Sequence, residues 1–152
     1  AVPNGMFGVF QVGDLPLPAG RTISGVKIPE NVQPVQEFPM VLNDAGNIGM
    51  SLNGKSFPAT AQSAAVVVKQ NDWFITHYFN EGLTAHPMHL HGLWSELESP
   101  DGKFLVRKHT ISVQPAQRVS FLVTADALGR WAWHCHLLIH MDTGMFREVV
   151  VS

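Results

Sequence analysis

The run His134-Cys135-His136-Leu137-Leu138-Ile139-His140-Met141-Asp142-Thr143-Gly144-Met145 places the chain's single cysteine between two histidines. A second cluster lies upstream, His86-Pro87-Met88-His89-Leu90-His91-Gly92. On a strand, side chains two apart share a face and neighbours point to opposite faces. If Trp131 to His136 is a strand, Cys135 points one way while His134 and His136 point the other. His89 and His91 likewise share a face, and His86, three residues before His89, can face away from it. Extended chain at both clusters therefore sorts the residues into two groups. One is His86, Cys135, His140 and Met145. The other is His89, His91, His134 and His136.

The first group offers one soft thiolate, two imidazoles and a potential long axial thioether. That set suits copper cycling between Cu(II) and Cu(I). The second group offers four imidazoles for further copper. Cys135 joins the two, because its sulfur would hold one copper while its covalent neighbours hold the other site. An electron arriving at the first site then has a short bonded route through the Cys135 main chain. Zinc is the rival, since it accepts both His and Cys. Structural zinc favours several thiolates, however, and catalytic zinc does not require a duplicated His-x-His geometry. His77 and His109 stand alone and read as satisfied structural residues. Trp131 and Trp133 alternate with the ligand strand and read as core.

Size and composition set bounds around this site. At 152 residues the chain is one domain with a sizeable core, or one domain plus a long arm. Hydrophobic content of 45% and charged content of 14% describe a globular protein. A net charge of -2 gives no basic surface for nucleic acid. No apolar stretch approaches the roughly 20 residues of a membrane helix. One cysteine rules out an internal disulfide and leaves the redox compartment unread. No signal peptide is visible.

Six of the ten prolines fall in the first 40 residues, so residues 13–44 read as an extended connecting arm. Short β-like runs follow at 65–69, 73–79, 104–113, 118–123, 131–136 and 146–151. Turn signals separate them at Asn53-Gly54, Asn71-Asp72, Pro100-Asp101-Gly102 and Pro115-Ala116. Residues 124–129 suit a single helical turn, and Glu96, Glu98 and Asp101 read as a solvated loop. Many short strands with turn punctuation predict an all-β sandwich. The segment Asn4-Gly5-Met6-Phe7 echoes Thr143-Gly144-Met145-Phe146. It reads either as coincidence or as residues 1–12 being the closing strand of a preceding domain.

The motifs HPMHLHG and HCHLLIHMDTGM together resemble the paired signature of multicopper oxidases (laccases, ascorbate oxidase, copper-resistance oxidases). The text between them, LWSELESPDGKFLVRKHTISV, is similar to copper-resistance oxidases in particular. The resemblance covers about the C-terminal two-thirds of the chain. It implies a Greek-key cupredoxin β-sandwich over residues 45–152. It implies type 1 copper at His86, Cys135, His140 and Met145. It also implies that His89, His91, His134 and His136 are half the ligands of a trinuclear copper cluster that reduces O2 to water. The other half comes, in such proteins, from two further His-x-His pairs in a second cupredoxin domain or subunit. This chain has eight histidines, six of them already assigned, so it cannot supply that half itself. The expected role is a copper-binding electron-transfer domain that takes single electrons from a small donor, phenolic or a metal ion. Whether the chain alone is an enzyme stays open. The alternative is a stand-alone blue copper carrier or copper-binding protein without oxidase activity. Relatives of this kind act mostly in the periplasm or outside the cell. Some also carry an acid within the HCHxxxH segment, where this chain has Leu137, Leu138 and Ile139. Any proton relay must come from Asp142 or from a missing domain.

Overall fold

The computed structural model describes residues 22–23, 26–27, 36–44, 49–98 and 104–152. Their strands are β1 (Thr22–Ile23), β2 (Val26–Lys27), β3 (Gln36–Asn43), β4 (Ser51–Leu52), β5 (Val66–Val68), β6 (Trp73–Asn80) and β7 (His86–Leu90). After these come β8 (Ser95–Glu98), β9 (Phe104–Lys108), β10 (Thr110–Val113), β11 (Arg118–Thr124), β12 (Gly129–Cys135), the short helix α1 (Leu138–Asp142) and β13 (Phe146–Val151). One sheet runs β4-β3-β6-β11-β8-β9 and the other β10-β7-β12-β13-β5, with β1 and β2 forming a separate pair. The pairs β3–β6 and β13–β5 are parallel. The chain is an all-β sandwich.

Alternation in sequence becomes two faces in space. Along β6, Phe74, Thr76, Tyr78 and Asn80 are buried. Along β13, Arg147, Val149 and Val151 are buried while their neighbours are half-exposed. The core between the sheets is anchored by Trp133 of β12, which is fully buried. Its indole N–H donates to the Tyr78 hydroxyl of the facing sheet. Its ring lies 5.9 Å from that of Tyr78 and 6.5 Å from that of Phe121. Aromatic residues carry the largest apolar area per side chain, so this cluster ties the two layers together.

Several expectations change. Residues 36–43, at the end of the stretch read as a connecting arm, form β3, an interior strand of the six-stranded sheet. Pro39 disguised it. A proline cannot donate to a sheet ladder and is tolerated where that flank carries no neighbouring strand. Here β4 pairs only with Leu42 and Asn43, and the Asn53 side chain covers the flank beyond. Its Nδ2 donates to the Pro39 carbonyl at 3.0 Å, and its Oδ1 accepts the Val41 N–H at 2.6 Å.

The 104–113 run is two strands in different sheets, with His109 at the corner. Residues 124–129 form no helical turn, and the helix lies instead within the ligand segment, at α1. Glu96 and Glu98, read as loop, belong to β8.

The predicted turns that lie among the described residues fall where the sequence placed them. Asn53 and Gly54 both have positive φ (53° and 70°), and Leu52 and Lys55 exchange backbone hydrogen bonds across them. Both residues at positive φ match the tight turn that suits the twist of a hairpin. Asn71 and Ala116 also have positive φ. The predicted turn at 100–102, the 1–12 echo and most of 13–35 lie outside the described residues.

Candidate metal centre

His86 opens β7 and Cys135 closes β12, and these two strands pair side by side with Cys135 opposite Met88. His140 comes from α1, the one helical turn between Cys135 and β13. The segment is strapped by its own backbone. The Cys135 N–H donates to the Met145 carbonyl (3.2 Å), and the Met145 N–H donates to the His140 carbonyl (2.9 Å). Three donor atoms converge as a result. Nδ1 of His86 lies 3.2 Å from Nδ1 of His140, and Cys135 Sγ lies 3.7 Å and 3.5 Å from them respectively. A point in the plane of this triangle sits about 2 Å from all three atoms, close to the roughly 2.0–2.3 Å of transition-metal bonds to imidazole and thiolate. All three residues are buried. The thioether of Met145 is fully buried in the adjoining core. Two imidazoles and a thiolate in a trigonal array, with methionine at hand, match what copper prefers for electron transfer.

Burial sets the electrostatics. It pushes the Cys135 thiol up, with Asp44 adding to the rise and the Leu137 amide opposing it. It pushes His86 down, aided by His140 and opposed by Asp44, so His86 favours the neutral form a metal ligand needs.

The second group lies on the opposite face of the same strands. His134 pairs in register with His89, and Thr110 of β10 flanks His89 on its other side. Ring centroids are 4.5 Å apart for His89–His91, 5.1 Å for His91–His134, 5.4 Å for His89–His136 and 5.8 Å for His134–His136. Two tautomers are fixed by carbonyls. His89 Nδ1 donates to the His109 carbonyl at 2.8 Å, and His134 Nδ1 donates to the Cys135 carbonyl at 2.9 Å. Each therefore keeps an Nε2 lone pair for a ligand. The His134 contact also makes a hydrogen-bonded shortcut from the Cys135 main chain to the outer cluster. Burial pushes both His89 and His134 down, and neighbouring imidazoles add to the effect. His91 and His136 are exposed. Gly92 ends the motif for a packing reason: a Cβ there would come within 2.2 Å of the Trp131 ring.

His86, Cys135 and His140 are thus brought together on one face, and His89, His91, His134 and His136 on the other. The sequence reading missed two neighbours. His109, read as isolated, sits beside the outer cluster, 5.2 Å ring to ring from His89 and 5.5 Å from Trp94. Its position at the corner between β9 and β10 gave no periodic signal. Asp44, 42 residues upstream of His86, lies 3.3 Å from the His86 ring. Sequence separation hid it. His77 does stand apart, with Ser120 Oγ 2.6 Å from its Nδ1. Leu137, Leu138 and Ile139 are exposed.

A two-sheet sandwich with a buried His2Cys set beside the core is a cupredoxin fold. The multicopper oxidase family profile matches residues 28–152, and the chain belongs to that family, whose cofactor is copper. Copper resistance protein A of Escherichia coli is 52% identical over 102 residues, 67% of this chain and 16% of that protein. A laccase of Haloferax volcanii is 34% identical over 116 residues, 70% of this chain and 20% of that protein. The crystal structure of a laccase from Pediococcus acidilactici matches with a TM-score of 0.68 at 26% identity, covering 93% of this chain and 32% of that one. The chain spans less than two-fifths of the length of each of these relatives.

Proposed function

We propose that this chain is the C-terminal cupredoxin domain of a laccase-like multicopper oxidase. His86, Cys135, His140 and Met145 hold its type 1 copper, and His89, His91, His134 and His136 supply half of a trinuclear copper site. The observation that carries this reading is the convergence of two Nδ1 atoms and one sulfur within 3.2–3.7 Å, backed by four imidazoles on the opposite face of the same two strands. Copper bound at these places would supply one-electron redox capacity, with dioxygen as the final acceptor. The residues supply the rest. Cys135 gives the thiolate and the main-chain link. His134, held to the Cys135 carbonyl, lies at the far end of that link. His140, on α1 beside the exposed Leu138 and Ile139, sits nearest the surface where a small donor, phenolic or a metal ion, would approach.

The outer face needs imidazoles the described residues do not provide, so a second cupredoxin domain or subunit completes it. A periplasmic or extracellular setting fits this family reading. No helix among the described residues is long and apolar enough to cross a membrane.

The test loads the chain with copper and measures copper per chain, molecular mass and visible absorption in one sample. Intense blue colour that disappears in Cys135→Ser is expected. A colourless copper-loaded wild type with Cys135 still reduced overturns the assignment.

A further inference from the structure

We infer that Asp44, at the end of β3, is a positioning residue for the type 1 site: its carboxylate takes the Nε2–H of His86 and so fixes which ring nitrogen faces the metal. This rests on the copper reading above and extends it to a residue outside both motifs.

The His86 side chain is fully buried, and its Nδ1 points at Cys135 and His140. A neutral imidazole with Nδ1 committed to a metal must carry its proton on Nε2. That nitrogen has no aligned hydrogen-bond partner among the described residues, although it is buried. The carboxylate oxygen Oδ2 of Asp44 lies 3.3 Å away, off the hydrogen-bond line. A small rotation of the ring brings the N–H onto it. A buried N–H left unpaired is costly, so closure of this contact is favoured. Metal-bound histidines ordinarily donate their second N–H to a carboxylate, a carbonyl or water, which fixes the tautomer and raises ligand basicity.

The surroundings are built to keep this carboxylate in place. Its side chain is only 3% exposed. Oδ1 accepts the Leu83 N–H at 2.7 Å, and Oδ2 accepts the Thr84 N–H at 2.9 Å and the Thr84 hydroxyl. Position 82 leaves it room: a Cβ on Gly82 would come within 2.6 Å of Asp44 Cγ and Oδ1. The same loop is held from below by Asn80, whose Oδ1 accepts the Gly82 N–H and whose Nδ2 donates to the Thr84 and Val113 carbonyls. A carboxylate that only braced the loop would not need to face the ligand ring.

The two roles separate by substitution. Asp44→Asn keeps an oxygen for the loop and removes the charge that favours Cu(II) over Cu(I). Thr84→Val removes one loop bond and keeps the charge. In the copper-loaded full chain, Asp44→Asn is expected to retain copper and lower the relative Cu(II) affinity about tenfold. For a one-electron couple that raises the reduction potential by about 59 mV. Thr84→Val is expected to move the potential much less.

A second measurement needs no variant. In the Cu(I)-loaded wild type, nitrogen-15 NMR of the imidazoles should show a slowly exchanging Nε2–H on His86. An unchanged potential in a blue Asp44→Asn protein, equal shifts in both variants, or a rapidly exchanging His86 N–H each overturns the role of Asp44 while leaving the copper reading intact. A wild type without a blue site overturns both.

Discussion

Two clusters of candidate metal-binding side chains gather at strands β7 and β12, one on each face, and the clusters differ most in their enclosure. The inner one is small, dry and geometrically complete: two imidazole nitrogens and a thiol sulfur lie within 3.7 Å of one another and are shielded from water. The outer one is open to solvent: two of its four histidines are exposed, although its ring spacing of 4.5–5.8 Å brackets the 5.0 Å between His86 and His140. The inner face is closed by the facing sheet, so the fold itself supplies its walls. The outer face has no such cover among the described residues. One pair of strands therefore yields an enclosed cluster where the sandwich closes over it and an open one where it does not. Enclosure of a candidate metal site here is a property of what packs against the strand, beyond the residues on it.

The sharpest way to break this comparison is at its shared residue. Cys135→Ser should abolish the blue absorption outright, whereas His89→Ala and His136→Ala should leave it intact, as read by visible spectroscopy on copper-loaded protein. Loss of colour in the outer variants would mean that the two faces are one site.

The next effect concerns oxygen. The isolated chain should show little or no oxygen uptake with a one-electron donor. A domain bearing complementary His-x-His pairs should restore it, and His89→Ala or His136→Ala should prevent the rescue. Robust turnover by a monomer holding one copper would remove the distinction between complete and incomplete.

Acid should weaken the metal-free fold. Burial holds His86, His89 and His134 below the ordinary imidazole value of about 6.5. The unfolded chain then binds more protons than the folded one as pH falls from about 6.5 toward the lowered folded values, so stability falls with pH across that window. Denaturant midpoints of the metal-free chain at successive pH values would show it. Replacing the fully buried His86 with Gln should flatten the slope.

The smallest effect is at the axial position. Met145→Leu should keep the blue colour and raise the potential modestly, because a weak donor to Cu(II) is lost. Loss of all copper would instead make Met145 a primary ligand.

Much of this arrangement was legible from a period of two. Alternation along 86–91 and 131–136 separated the inner from the outer residues, and the 146–151 run is strand β13 as read. What stayed hidden was hidden for physical reasons. Pro39 looks like a strand breaker, and only the Asn53 amide on its flank explains how β3 forms around it. Asp44 reaches His86 because β3 and β6 run in parallel, a long-range pairing with no local trace. His109 stands at a corner where the chain leaves one sheet for the other, and a corner has no periodicity to read.

The pairing of His134 with His89, and of Cys135 with Met88, also limits how this segment can vary over generations. Inserting or deleting one residue in β12 would turn the sulfur outward and an imidazole into the core, and doing so in β7 would carry His89 inward and Met88 outward, so either strand's slip disturbs both faces in a single step. Point substitutions can alter one face and spare the other. Length is therefore the variable that lineages cannot explore here, and inherited change in β7 and β12 should consist of exchanges of residues rather than gains or losses.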